Sequence, residues 1–397
     1  MDFQSTALPT ELPGRSFPGL VYAHCCIDPG KLEIIAFPRS RSQNPGVERH
    51  QRALRVLGAL GLCLAAGTLF AWLKTPIPWM IGPLLAMAVV QFSGGSLEAP
   101  PFGREAGQTI VGVSLGLYFT APVVHEVSTY GVWFVALGVL AITAGGLSSL
   151  VIARVARVDP ATAWFSSMPG GAAEMAVMGE RHGALPDRVA LANAIRMLFV
   201  VTLVPVFITY AGFTGADLYK PITIPFEGVG FALLIAMGFA VGYVGRRFKL
   251  PNAYMLAPLL VTIALTAAGV SLSSVPTSVT NAAQLLLACS LGVQFQRSFL
   301  REAPRFVAAL VPAGALMLVL CVLIAFGLSW GSGAYLGATL LAAAPGGIAE
   351  MSITAKVLKI GVPFVTAAHV CRYLVVILFS QTLFRLFRHL LGRLRRE

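Results

Sequence analysis

One nine-residue block occurs twice in this chain, both times where a helix break and a charge are most costly. Ser167-Met168-Pro169-Gly170-Gly171-Ala172-Ala173-Glu174-Met175 returns as Ala343-Ala344-Pro345-Gly346-Gly347-Ile348-Ala349-Glu350-Met351. Proline and glycine interrupt a helix, and a carboxylate adds charge to an apolar region. An arginine follows each block at the same distance: Arg196 lies 22 residues after Glu174, and Arg372 lies 22 after Glu350. A soluble core would rarely repeat so costly a pattern. A membrane protein does so where it binds something.

The surroundings are apolar. Hydrophobic residues make up 56% of the 397 and charged residues 12%, against about one-quarter charged in soluble domains. Apolar runs recur from Leu54 to Leu391. They predict an all-α, polytopic membrane protein. The net charge of +12 comes mostly from arginines between these runs and at the ends, where it reads as topology. Outside the apolar runs no stretch is long enough for a DNA-reading domain, so direct contact with nucleic acid is not expected.

Cys63, Cys289, Cys321 and Cys371 lie in apolar segments, and Cys25 and Cys26 are adjacent near the N-terminus. None has metal-ligand spacing, and no disulfide framework is indicated. The histidines at 24, 50, 125, 182, 369 and 389 are scattered, so no metal and no cofactor is expected.

Residues 1–50 are polar and rich in Pro, Ser and Arg, without the apolar core of a signal peptide. A disordered tail is expected there; a translation start placed too far upstream is the alternative. Apolar segments follow at roughly 53–73, 77–93, 106–122, 129–153, 161–181, 188–212, 228–246, 252–270, 279–297, 304–329, 333–356 and 364–390. The segments with Pro169-Gly170-Gly171 and Pro345-Gly346-Gly347 are broken in the middle. Each half gives roughly 10–15 Å of helix, about half a bilayer, so both read as re-entrant or discontinuous.

Other blocks repeat at an offset of about 175 residues. Lys74 to Leu85 matches Lys249 to Leu260. Gln108 with Ser114-Leu115-Gly116 matches Gln284 with Ser290-Leu291-Gly292. The expected organisation is a tail at 1–50, one membrane repeat at 53–212, a linker at 213–227, a second repeat at 228–390 and a basic tail at 391–397. Pro76, Pro83, Pro251 and Pro258 read as shaping short or kinked spans.

Positive charges give the topology. Arg49, Arg52 and Arg55 put the N-terminus in the cytoplasm, and Arg154 and Arg157 return there after four crossings. The linker near Asp217, Lys220 and Glu227 suits the outside. Arg246, Arg247, Lys249, Arg297, Arg301, Arg305 and the C-terminal Arg385, Arg388, Arg393, Arg395 and Arg396 then fall inside. Two inverted repeats result, each of five full spans and one re-entrant segment. Lys356 and Lys359 fit poorly, because this arrangement puts them outside.

Inverted repeats with paired broken helices point to a secondary transporter. Half-helix amides at the breaks suit an anion, and the glycines admit a ligand close to the backbone. Glu174 and Glu350 stabilise a helix start, or else carry a coupling proton or bind sodium. Arg196 and Arg372 pair with those glutamates, or else bind an anionic solute. Asn193 and His369 lie three residues before the arginines on the same helical face and read as lining residues. His369 as a proton relay is weaker, since Asn193 cannot do that work. Gln108 and Gln284 are solute contacts, or else hydrogen bonds between helices.

The Pro-Gly-Gly-x-x-Glu-Met signature, twice followed by a span with Arg196 or Arg372, resembles the AbrB family of bacterial inner-membrane proteins, over about 53–390. This family is distinct from the small soluble DNA-binding regulator of the same name. The resemblance implies a duplicated integral-membrane domain and carries two labels, regulator of gene expression and ammonia monooxygenase. Without a metal or cofactor set, monooxygenase activity is not expected, nor is the chain expected to be an enzyme.

The leading expectation is an inner-membrane secondary transporter of a small anionic solute, coupled to H+ or Na+, with both termini cytoplasmic. The alternative is a membrane sensor or regulator acting indirectly on gene expression. Expected partners are the lipid bilayer, a small anionic solute and a coupling ion, with homo-oligomerisation left open.

Overall fold

The structure is a computed structural model and describes residues 45–213, 215, 225–295, 297 and 303–394. Expectations for residues 1–44, Asp217, Lys220, Arg301 and residues 395–397 lie outside the described residues.

Among the described residues there are fifteen helices and no strand. The first eight are α1 (Pro45–Trp72), α2 (Pro78–Phe92), α3 (Gly103–Gly116), α4 (Ala121–Thr129), α5 (Gly131–Ala156), α6 (Pro160–Ser167), α7 (Ala172–Glu180) and α8 (Pro186–Tyr210). Then come α9 (Gly228–Arg247), α10 (Ala253–Ala267), α11 (Thr277–Gly292), α12 (Pro304–Ser332), α13 (Leu336–Ala343), α14 (Ile348–Leu358) and α15 (Val362–Leu394).

Six helices (α1, α5, α8, α9, α12 and α15) are long and apolar enough to cross a bilayer, and the pair α3 and α4, bent by 93°, makes a seventh if counted as one span. The chain is therefore a multi-pass membrane protein. Ten full spans is more than this geometry gives. α2 and α10 have 15 residues, α3 has 14 and α11 has 16. At 1.5 Å per residue these reach about 21–24 Å, short of a ~30 Å hydrocarbon core. Hydropathy overruns these helices at their ends: the apolar segments begin on the turn residues Ile77 and Asn252 and continue past Gly116, Ala267 and Gly292, where the helices stop. α2 starts only after Ile77 at φ 42°, and α10 only after Asn252 at φ 50°.

Such left-handed residues recur in step. Lys74 and Lys249 have φ 53° and 57°, Gly94 and Gly269 have 99° and 78°, Arg157 and Gly333 have 52° and 70°, and Gly183 and Lys359 have 82° and 55°. A non-glycine residue enters this region at a cost of about 1 kcal/mol or more. At these positions the chain turns alike in both halves even where the residue type differs, so what is shared there is the backbone path; Phe102, Gly212 and Gly361 have no such counterpart.

Packing between the halves is reciprocal. α2 packs on α11 and α3 packs on α10; the offset turns α2 into α10 and α3 into α11, so one contact is made twice. Gly112 of α3 lets the helices approach: a Cβ there would come within 2.7 Å of the Met255 carbonyl oxygen. α5 packs on α12, its own equivalent, and also on α15. α1, α9 and α12 turn apolar surface outward through Leu57, Leu64, Val229, Leu233, Leu323 and Trp330, as a lipid-facing layer should. α5, α8 and α15 have half or more of their spans buried and flank the broken segments.

Lys356 points into the protein. Its Nζ donates to Ser114 Oγ at 2.7 Å and lies 5.8 Å from the centre of the Tyr118 ring. Its charge is held by α3, so it does not report a side of the membrane.

Candidate functional site

Each signature block makes a helix, a short extended break and a second helix. α6 starts on Pro160, with the Asp159 carboxylate accepting from the Thr162 N–H at 2.7 Å. It stops where Met168 becomes extended, and Gly170 N–H donates to Met168 O at 2.8 Å. In the second half Ala344 becomes extended and Gly346 N–H donates to Ala344 O at 2.8 Å. α7 and α14 restart from Gly171 and Gly347 without a side-chain cap.

The spacing of the signature follows from this geometry. A Cβ on Gly170 would come within 2.7 Å of Met175, and one on Gly346 within 2.8 Å of Met351. Both methionines are fully buried. A Cβ on Gly171 or Gly347 would collide with the carboxylate of Glu174 or Glu350. The first glycine makes room for the methionine and the second for the glutamate, which sits over the amide end of its half-helix.

The arginines serve the opposite pole of each break. A helix end leaves carbonyls without partners, and in hydrocarbon water does not supply them. Arg196 of α8 donates to Met168 O, and through Nη2 to Gly170 O at 3.2 Å. Arg372 of α15 donates to Ala344 O, and through Nη2 to Gly346 O at 2.7 Å. The bonds are equivalent in the two halves. Among the described residues neither arginine forms an ion pair with Glu174 or Glu350; the ion pairs are Arg52 and Arg55 with Glu98. Arginine and glutamate thus take the two ends of one interrupted helix.

Asn193 and His369 also bond the first half-helices. Asn193 Nδ2 donates to Phe165 O at 3.4 Å, and His369 Nε2 lies 2.9 Å from Leu341 O. Arg372 Nη2 lies 2.8 Å from His369 Nδ1. Arginine only donates, so Nδ1 accepts and Nε2 carries the proton. Both ring nitrogens are thereby used, which leaves none for a relay.

The two breaks face one cavity of about 90 Å³. Of the residues singled out in the sequence, Gln108, Pro169, Gly170, Gly171, Glu174, Asn193, Gly346, Gly347, Glu350, His369 and Arg372 line it. Arg196 and Pro345 instead line a second cavity of about 40 Å³. Gln284 is buried in α11 and lines neither.

Sequence reasoning missed Arg104, Asn252, Gln294 and Tyr373, which also line the central cavity. Tyr373 donates its hydroxyl to Glu174 at 2.8 Å. The positions equivalent to Tyr373 and Arg104 are Met197 and Thr280, so a search for matched polar pairs passes over both.

The helix order, both breaks and the cavity fall almost wholly within residues 79–388, and that stretch matches the family model described as "Transition state regulatory protein AbrB". The chain belongs to the AbrB family. "Putative regulator AbrB" of Escherichia coli (strain K12) is 24% identical over 308 residues, 76% of this chain and 86% of that protein. "Uncharacterized protein YhjN" of Bacillus subtilis (strain 168) is 24% identical over 373 residues, 87% of this chain and 96% of that protein.

Membership of the AbrB family corrects one expectation. Charge placement and the lack of a DNA-reading stretch had set aside direct contact with nucleic acid. A family described as regulatory, with a relative named a regulator, overturns that exclusion. Arginine positions report how a chain sits in a bilayer; they do not decide what a regulator contacts. The family is described by regulation. No group of three His, Cys, Asp or Glu side chains able to hold a metal occurs among the described residues.

Proposed function

We propose that this AbrB-family chain is a membrane-embedded regulator whose state is set by a small polar solute held between the two helix breaks. The observation that carries this reading is the cavity itself, where Arg104, Glu174, Glu350 and Arg372 meet beside two glycine pairs inside an apolar helical protein. Ionisable side chains in such a place mark a ligand site by default. The regulatory half rests on the family description and on the name of the E. coli relative. A solute that bridges the breaks favours one arrangement of the halves over another, and only that difference in affinity can switch a regulator.

The test is transcript profiling of a deletion strain that carries either the wild-type chain or Glu350→Gln, with protein in the membrane matched, across a panel of small metabolites. A solute-dependent set of transcripts that Glu350→Gln alters is the expected result. Identical profiles for wild type, variant and deletion under every solute would overturn the proposal.

One observation favours a second reading. The breaks come from sequence-equivalent segments, and α2 with α11 and α3 with α10 make the same contact twice. In the transport reading the two halves are inverted, both termini are cytoplasmic, and a small anionic solute moves with H+ or Na+. Reconstituted vesicles separate the two: a transporter accumulates solute, whereas a regulator binds it without flux.

A further inference from the structure

The central cavity holds four charged side chains, and two of them are occupied. Arg372 spends its Nη atoms on break carbonyls and His369, and Glu174 accepts from Tyr373. Arg104 and Glu350 remain. Among the described residues neither has an ion pair, and neither side chain bonds another residue's side chain. Arg104 lies in the first turn of α3 and is exposed at the cavity, while Glu350 is 7% exposed.

The repeat explains why these two are left over. Tyr373 reaches Glu174 from the other half of the chain. The equivalent position facing the second break is Met197, whose Cε would lie 2.8 Å from a Cβ on Gly347. A methionine offers no hydroxyl, so Glu350 has no counterpart to the tyrosine bond. Arg104 has only Thr280 at its equivalent position, so the cavity has a single unoccupied guanidinium.

Resting on the solute-binding reading of this cavity, we infer that the solute is a small zwitterion, an amino acid with a short or absent side chain. Its carboxylate takes the Arg104 fork and its ammonium takes Glu350. A guanidinium matches a carboxylate with two parallel bonds. A buried carboxylate is costly until a cation pairs with it. A simple anion would satisfy Arg104 and leave Glu350 unpaired and repulsive, and a simple cation does the reverse. Asn193 adds a further acceptor: it is fully buried on the cavity wall, and its Oδ1 has no donor. At about 10–15 Å³ per water-sized group, about 90 Å³ has room for a small amino acid.

The test uses the full chain purified in detergent, with thermal shift and calorimetric titration. The probes are glycine and β-alanine as zwitterions, acetate and propionate as anions, and methylammonium as a cation. The zwitterions are expected to bind at least about tenfold more tightly than either single-charge class, as one added ion pair of about 1.4 kcal/mol requires. Arg104→Gln and Glu350→Gln should each weaken zwitterion binding about tenfold or more. Glu350→Gln should also raise the affinity for propionate relative to β-alanine. Size-exclusion profiles establish that the variants fold, and the wild-type ranking of probes stands if they do not.

Equal or tighter binding of propionate to the wild type overturns the zwitterion assignment. So does the absence of binding by both zwitterions. Neither result touches the regulator reading, which falls if wild type, Glu350→Gln and deletion give identical profiles under every solute.

Discussion

Tyr373 of α15 donates its hydroxyl to Glu174 of α7 over 2.8 Å, a bond from the second half of the chain to the first. No such bond can form at the equivalent pair, because Met197 stands where the tyrosine would be. Two carboxylates that the signature makes equivalent are therefore unequal in the folded protein. Tyr373→Phe should lower the thermal midpoint of the purified protein, since a hydrogen bond to a carboxylate contributes about 1.5–3 kcal/mol. Glu174→Gln should lower it by a smaller amount, because an amide still accepts. An unchanged midpoint in Tyr373→Phe would mean that the bond is not made in solution.

Arg372→Ala should be among the most damaging single changes. It strands at least two buried carbonyls, at about 1–3 kcal/mol each, and removes the donor to His369 Nδ1. Arg372→Lys should recover part of the loss, since an ammonium reaches one carbonyl but lacks the planar fork. Arg196→Ala should cost less, because Arg196 is only part-buried and Asn193 makes no bond to it. Fluorescence-detected size exclusion on matched membranes ranks the three, and equal yields for all of them would count against a structural role at the break carbonyls.

The two glycines of each break should fail differently. Gly346→Ala drives a Cβ into Met351, which is fully buried, and overpacking of this kind costs about 1–3 kcal/mol. Gly347→Ala meets the Glu350 carboxylate, the end of a side chain at the cavity edge. It should spare more stability and change solute response instead. Thermal melts alongside ligand titrations separate the two outcomes.

Lys356 donates to Ser114 Oγ and faces the Tyr118 ring, with no carboxylate paired to it among the described residues. Holding a cation in so apolar a place is costly. Lys356→Met should therefore keep or raise the thermal midpoint while filling the same space. A marked fall would show that the charge itself is needed there.

If the two halves are inverted, a reporter fused after Glu227 reports the outer side and one fused after Arg388 reports the cytoplasm. A cytoplasmic signal after Glu227 would remove the inverted arrangement, and with it the transport reading. The solute cavity would be unaffected.

Much of this protein is local, and what is local was legible in the sequence. Apolar runs cannot stay in water, so they became helices. Proline and two glycines cannot continue a helix, so both blocks broke where they stand. The 22-residue step from glutamate to arginine put Arg196 and Arg372 beside the breaks. Three things depended on partners that no sequence spacing names. The arginines chose backbone carbonyls, groups that every residue has and that a pattern of side chains cannot show. Ile77 and Asn252 turned the chain at the first residue of their apolar segments, and α3, α10 and α11 stopped before their segments ended. Arg104 and Tyr373 entered the cavity from positions the repeat does not match, while Gln284, which it does match, stayed buried in α11. The repeated blocks of the sequence set the frame in which both breaks sit. Tertiary packing decided which charges in that frame were left without a partner, because the tyrosine that occupies Glu174 comes from the other half of the chain and the matching position facing Glu350 holds Met197.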